Sequence, residues 1–430
     1  WQLLAGLPWH MPGEPHPRMS ASQQTHFACL EHVQSAELPY SADRVDLWPL
    51  HLYLQVFGLW RPSKRKWWVA WQFLVSVVVH SYLLLFISVA PWGESDNPIN
   101  AFFRAHTRLP VRFSGMWTVF IPSVCLNALP VACFLFSSAY LNSRSGWCAR
   151  STDKEVHLNK IIASIPRWPS SLLAARGAAA GPSLAFEQRV RRRTAVMAVW
   201  HSLWTLACTA MECEEVGWGA VYFCWVLLWS SPVPASALIL SVVCEAHLLE
   251  CDAIAECVRH QSNLSQVWLF CQSADARLRE TSDKFRVYFI PPAVFILSSI
   301  VCLGVEAITD NKLCAIVLSN QLWVFFFLAF FVCVYMSSIL ATVCVTESAS
   351  TSIIQAVNDY QLPCSNGSGA CSGASVNHVI YNGAVRTEVE HLKAYLQTLS
   401  SGFYILGTRV DSSLVSRATL LCVTFLSAFA

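Results

Sequence analysis

The chain has 430 residues, of which 54% are hydrophobic and only 13% charged, with a formal net charge of +2. A soluble domain carries about a quarter charged residues to cover its surface, so this composition excludes an ordinary soluble protein and points to a polytopic membrane protein. The near-neutral balance also leaves no strongly basic domain, and no nucleic-acid partner is expected.

Residues 1–66 read as a cytosolic N-terminal segment. The beginning mixes Pro, His and polar residues and lacks the charged-then-apolar layout of a signal peptide. The chain opens on Trp1 and closes on Ala430 inside an apolar run, so both ends are expected to continue in a longer protein. A spanning helix needs about 20 mostly apolar residues. Candidate spans run over 67–90, 115–140, 194–211, 217–247, 287–305, 321–344 and 412–430, the last cut short by the end of the chain. Pro122 and Pro130 are expected to kink the second. Pro232 and Pro234 break the fourth, and Pro291 and Pro292 stand near the start of the fifth.

The connections fix a direction. Lys and Arg number six before the first span, ten between the second and third, five between the fourth and fifth, and three between the sixth and seventh. The opposite side holds four: Arg104, Arg108, Arg112 and Lys312. Positive charge stays cytoplasmic, which predicts a cytosolic N-terminus and an extracellular C-terminus. The sequons at Asn263 and Asn366 then fall inside, where they stay unglycosylated. The chain thus divides into 1–66; the first four spans over 67–243, with a long basic cytosolic loop at 141–193; a cytosolic extension at 244–286; two spans over 287–344; a cytosolic linker and helix at 345–411; and the seventh helix at 412–430.

Within these connections, 163–185 is low in complexity, and 364–375 is a Gly/Ser linker. By contrast, 244–286 and 378–408 read as helical but too polar to span. Val389, Leu392, Tyr395, Leu396 and Leu399 recur at helical spacing. They suit either packing against the other extensions or lying on the membrane surface. Most of the 18 cysteines sit in apolar stretches, where a reduced thiol acts as a small hydrophobe. Cys213 and Cys314 are a candidate outer pair, with free thiols as the alternative. Cys251/Cys257 and Cys364/Cys371 are spaced poorly for zinc, and neither metal nor cofactor is expected.

Two stretches resemble the gustatory receptors of arthropods. PLHLYLQVFGLWRPSKRKWW at 49–68 has the apolar segment, Gly-aromatic end and basic step that open that family. SSGFYILGTRVDSSLVSRATLLCVTF at 400–425 is similar to its C-terminal signature, with Thr424-Phe425 where Thr-Tyr is usual. The signature's Gln-Phe pair would fall beyond Ala430. The related odorant receptors share the architecture. The resemblance implies an all-α membrane protein of seven helices whose cytosolic extensions form an anchor domain. It also implies a homotetrameric or heterotetrameric ligand-gated cation channel in the plasma membrane, the last helix of each subunit facing a central pore. The partners implied are a small-molecule tastant, membrane lipid and permeant cations.

Two site expectations follow. Ser412, Ser416, Thr419, Val423 and Ser427 form one stripe at helical spacing. Hydroxyls on an otherwise apolar helix suit a water-lined face or helix packing; the resemblance favours the pore, with Val423 as the constriction. Asp411 reads as a helix cap or a cation attractor. Glu212, Glu214 and Glu215 read as a solvated outer turn or a cation-concentrating cluster. Candidate ligand contacts on the outer halves of the spans are His80, Trp117, Trp204, Thr209, Tyr222, Trp225, Gln321 and Trp323. Aromatic walls with a few polar groups suit a small organic ligand, although Trp and Tyr also anchor helices at membrane interfaces. No enzyme is expected, because the His residues are scattered. A G-protein-coupled receptor needs the opposite orientation and an acidic-Arg-aromatic triplet after the third span, which is absent.

Overall fold

A computed structural model describes residues 47–60, 66–89, 117–142, 182–212, 216–260, 264–309, 322–359, 387, 389–396, 402–405 and 407–429. These residues are almost entirely helical. The helices are α1 (Trp48–Val56), α2 (Lys66–Val89), α3 (Trp117–Asn142), α4 (Pro182–Glu212), α5 (Val216–Ser230), α6 (Pro232–His260), α7 (Leu264–Thr309) and α8 (Leu322–Glu347). A π-helical turn (Ser348–Ser352), α9 (Ile353–Asn358) and α10 (Ser412–Phe429) follow. Among the described residues, every candidate span is helical apart from the turn at Ser231. By length and composition, three stretches among the described residues are fit to cross a membrane: Phe186–Met211, Pro232–Val258 and Ala329–Asn358.

The terminus of α1 shows how the sequence writes its own stops. Gly58 takes φ 66°, a left-handed conformation that favours glycine. The Gly58 N–H then bonds the Gln55 carbonyl at 3.0 Å, and the Leu59 N–H bonds the Leu54 carbonyl at 2.9 Å. That pair of bonds is a Schellman cap, and Leu54 and Leu59 are its fully buried apolar contact. A Cβ at Gly58 would also stand 3.0 Å from the Val75 side chain, so glycine lets α1 approach α2. Trp71 of α2 completes the joint by donating from Nε1 to the Val56 carbonyl at 2.9 Å.

The predicted break in the fourth span is real and sits at Ser231, between α5 and α6. Pro232 has no N–H for the Leu228 carbonyl. The Ser231 hydroxyl donates to that carbonyl instead, at 2.9 Å. Beyond the break, every residue from 231 to 240 is buried. In the apolar window of this helix 83% of residues are buried, against 33% on α4 and 44% on α8, so α6 is the inner helix. It packs on α3, α4, α7 and α8, while α2 joins α3 and α5.

α7 is 46 residues long, with Pro291 and Pro292 inside it. At 1.5 Å per residue it reaches about 69 Å, more than twice a hydrocarbon core of about 30 Å. Much of α7 therefore has to lie outside any bilayer it crosses. A second core forms from Ile254 and Val258 of α6, Val267 and Cys271 of α7, Ile353 and Val357 of α9, and Val389, Leu392 and Leu396. Tyr395 stacks on Trp268 at 4.3 Å. Residues 389–396 are thus packed between extensions rather than spread on a surface; Leu399 lies outside the described residues.

Two expectations are corrected. α4 starts at Pro182, inside the stretch assigned to the basic loop and its low-complexity segment, because Pro at the first helical position is pre-set for helix. The 378–408 segment is not helical throughout. β1 (Tyr404–Ile405) and β2 (Thr408–Arg409) pair antiparallel, with Gly407 at φ 80° in the turn. Pro291 and Pro292 do stand near the start of the fifth span, which continues the 264–286 extension as one helix. Cys213, Cys314, Asn263 and Asn366 lie outside the described residues. The cysteines with described side chains are free thiols, and burial pushes the Cys271 thiol up to about 12.

Charges inside the fold are paired. Glu245 of α6, 4% exposed, forms ion pairs with Arg189 and Arg193 of α4, the latter at 2.6 Å. Further along α6, Glu250 accepts from Arg277 Nε of α7 at 2.8 Å and faces His247 Nδ1 at 3.2 Å. His247 Nε2 meets the Thr281 hydroxyl at 2.8 Å. Removing one member of a buried pair strands the other charge. Glu250→Ala is therefore expected to cost about 3–5 kcal/mol, read as a lower unfolding midpoint of the detergent-solubilised chain. An unchanged midpoint would contradict the clamp.

Candidate functional site

The seventh candidate span is α10, and the structure displays its hydroxyls outward. Ser412, Ser416 and Thr419 are exposed, as are the neighbouring Leu420 and Thr424. Val423 and Ser427 lie on the same helix, but their side chains fall outside the described residues. The Thr419 hydroxyl donates to the Val415 carbonyl at 2.8 Å and Thr424 to Leu420 at 2.8 Å. Each proton is thereby satisfied locally, and the oxygens keep acceptor capacity toward whatever the helix faces. α10 packs on α7.

Asp411 starts α10 as a cap. Its Oδ1 accepts the Leu414 N–H at 2.8 Å and the Ser413 hydroxyl at 2.7 Å. These two bonds hold the Asp411 carboxyl below the usual carboxylate range. The cap is therefore complete above the ordinary carboxylate pKa and is lost as pH falls through the lower, folded value.

A clasp that the sequence did not reveal joins α10 to the bundle. The Phe403 N–H donates to Thr346 Oγ1 of α8 at 2.9 Å, and the Tyr404 N–H donates to Ser282 Oγ of α7 at 3.1 Å. Thr346 and Ser282 already donate their own protons to Thr342 and Leu278 carbonyls, so both oxygens are free to accept. Phe403 is fully buried and meets Phe289 of α7 edge-on at 6.0 Å. The Val410 N–H closes the loop onto the Phe403 carbonyl at 2.8 Å. At Gly402 a Cβ would come within 2.7 Å of Thr346 Cγ2 and 2.9 Å of Arg409 Nε.

The candidate ligand contacts divide. Trp204 and Thr209 lie on α4, Tyr222 and Trp225 on α5, and these two helices pack together. All but Trp225, which is half-buried, are buried. Trp204 stacks on Phe330 of α8 at 4.1 Å, and Tyr222 meets Trp225 edge-on at 5.9 Å. The Tyr222 hydroxyl is buried without a hydrogen-bond partner among the described residues. A buried hydroxyl in that state is costly, so Tyr222 is the strongest candidate of the set. His80 is brought to α3 instead. Its Nδ1 donates to the Ser76 carbonyl at 2.6 Å, and its ring meets Phe134 at 6.1 Å. The side chains of Trp117 and Trp323, and Gln321 with the Glu214 and Glu215 turn, lie outside the described residues.

Sequence reasoning missed His201, which is fully buried on α4. Ser230 donates its proton to the Val226 carbonyl at 2.7 Å, so it accepts from His201 Nε2 at 2.8 Å. That leaves His201 Nδ1 to accept from the Tyr53 hydroxyl, 3.4 Å away on α1. One imidazole thus ties α1 and α4 to the α5–α6 break. The available signal was a histidine inside the apolar span 194–211, where a polar group needs a reason.

Two outcomes test this geometry. Gly402→Ala is expected to cost about 1–3 kcal/mol by overpacking, measured by thermal unfolding. Asp411→Ala is expected to speed hydrogen exchange at the Leu414 and Val415 amides, while Asp411→Asn, also a good cap, keeps them slow.

No protein-family model matches the chain, and no curated protein matches its sequence. Among solved structures, the fold is similar to the insect olfactory receptor OR5 from Machilis hrabei in complex with eugenol. The TM-score is 0.54 at 9% identity, covering 89% of this chain and 97% of that one. A second structure of the same receptor gives 0.51 at 11% identity, covering 88% and 96%. At such identity the likeness is one of fold, and it extends over nearly the whole of both chains: this chain has the fold of an insect olfactory receptor.

Proposed function

We propose that the chain is a subunit of a ligand-gated, non-selective cation channel that acts as a chemoreceptor for small molecules. The observation that carries this reading is the likeness to the olfactory receptor over nearly the full length of both chains. The receptor in that structure is in complex with eugenol, a small molecule, and the buried aromatic side chains of the α4–α5 pair are the ligand contacts in this reading. In this reading α10 lines the pore through Ser412, Ser416, Thr419, Val423 and Ser427. Ser412, Ser416 and Thr419 have no cover among the described residues, which supports assembly as a homotetramer or heterotetramer. Ligand binding favours the open state by differential affinity, and the clasp at 402–410 carries the motion of α7 and α8 to α10. His80 keeps only a packing role.

The gustatory assignment rests on residues 400–425, and the plasma membrane of a sensory neuron is the expected location. An odorant receptor is the second reading, favoured because the similar structures are olfactory.

Orientation is supported by a pattern common to three helices. Lys66, Arg192 and Arg286 are exposed, and each begins an outward-facing apolar stripe. The stripes are Phe73, Val77 and Leu84 on α2; Val196, Val199, Leu203 and Leu206 on α4; and Ile290 and Val294 on α7. A single membrane boundary through the three cations suits a cytosolic N-terminus.

Whole-cell recording from cells expressing the full-length protein tests the function. A panel of small aromatic and sugar ligands is expected to evoke a cation current in at least one case, reduced by Tyr222→Phe. Silence across the panel with confirmed surface expression contradicts the channel reading. Glycan at Asn263 or Asn366 would reverse the topology and revive a G-protein-coupled receptor.

A further inference from the structure

Resting on the reading of α10 as the pore helix, we infer that Arg417 is an electrostatic filter at the inner mouth of the pore. It holds back cations that approach from the cytosol, divalent ions more than monovalent ones.

The polarity of α10 is divided lengthwise. At about 100° per residue, all seven Ser, Thr and Arg positions from Ser412 to Ser427 fall within an arc of about 160°. The opposite arc carries Leu414, Ala418, Leu421, Cys422 and Phe425. Ser412, Ser413, Ser416, Arg417, Thr419 and Thr424 are exposed, whereas Leu414 and Val415 are half-buried. Arg417 thus stands at one edge of the polar arc, beside the stripe from Ser412 to Thr419.

A guanidinium does not shed its charge, and a charge within a span needs water or a counter-ion. Among the described residues Arg417 has no acidic partner. The nearest acid along the chain is Asp411. Its Oδ1 is committed to the Leu414 N–H and the Ser413 hydroxyl, and the cation that acts on it is Arg409. Arg417 lies six residues beyond that cap, about 9 Å along the helix, and before Val423. Water along the polar arc is then what solvates it.

In a homotetramer four such guanidinium groups ring the path on the cytosolic side of Val423. Rings of charged side chains set which ions a pore passes. A positive ring repels the permeant ion, and the energy doubles for a divalent cation. The repulsion acts chiefly on ions arriving from the nearer, cytosolic side, so outward cation current is smaller than inward current at equal driving force. Arg286 provides the contrast. It is exposed and likewise has no acidic partner among the described residues, but it begins the apolar stripe of Ile290 and Val294 on α7 and stands away from α10's polar arc.

Ligand-evoked currents of the full-length protein, recorded in inside-out patches with the same sodium solution on both sides, test the filter. Calcium permeability relative to sodium is taken from reversal potentials. The wild type is expected to conduct less outward than inward. Arg417→Gln is expected to raise the ratio of outward to inward conductance about twofold or more, and to raise relative calcium permeability. Arg417→Lys and Arg286→Gln keep the wild-type ratio. In 1 M salt, where the Debye length is about 3 Å, wild type and Arg417→Gln converge, which a merely structural role for Arg417 does not predict. Arg417→Cys gives a second route: a cationic thiosulfonate restores the wild-type ratio and a neutral one does not. Wild-type conductance ratio and calcium permeability in Arg417→Gln overturn the filter, while the current itself leaves the channel reading standing. Equal effects of the two thiosulfonates, or an equal shift in Arg286→Gln, overturn it as well. A silent wild type with confirmed surface expression contradicts the channel reading, and the filter with it.

Discussion

The burial of α6 on all sides is the constraint on which the rest of the fold depends. A helix enclosed by protein cannot leave polar groups stranded, so each one on α6 has to name a neighbour. Ser236 reaches Ser137 of α3, Glu245 takes the two arginines of α4, and His247 and Glu250 take Thr281 and Arg277 of α7. Read along the helix, these contacts set which element lies where around it. The apolar contacts with α3 and α8 fill the space but carry no such register.

That arrangement gives the two ends of the bundle different work. At the Ser231 break, α6 turns into α5, and His201 joins the break to α4 and α1. At the far end α6, α7, α9 and residues 389–396 share a core of their own. Between these, α7 and α8 present the oxygens of Ser282 and Thr346 to the segment that leads into α10. The last helix is thus held at its base, and its described side chains from Ser416 onward are exposed. That is a suitable mounting for an element that moves against a fixed bundle, as the proposed channel requires.

Much of this was legible in the sequence because apolar length and proline position act locally. The spans, the break at Pro232 and the helical extensions depend on such signals, and so does the capping role of Asp411. The hairpin at 404–409 was read as helix because Phe403, Ile405 and Val410 are apolar at spacings either structure accepts. What decided for the hairpin was tertiary: Thr346 and Ser282 offer acceptors, and only glycine fits at 402. His201 was legible in principle but lost among scattered histidines. His80 was favoured as a polar residue in an apolar span, yet its own helix satisfies it through Ser76. Tyr222 gained importance only once the structure showed its hydroxyl buried.

The central claim is that the outward face of α10 meets water in an assembled channel. Substituted-cysteine accessibility tests it most directly, in full-length protein expressed in cells whose wild-type current ignores the reagent. A charged thiosulfonate applied with ligand to Thr419→Cys is expected to block the current, and more slowly without ligand. A current that Thr419→Cys carries unchanged through the same exposure, while Leu420→Cys is blocked instead, would contradict the assignment of that face to the pore.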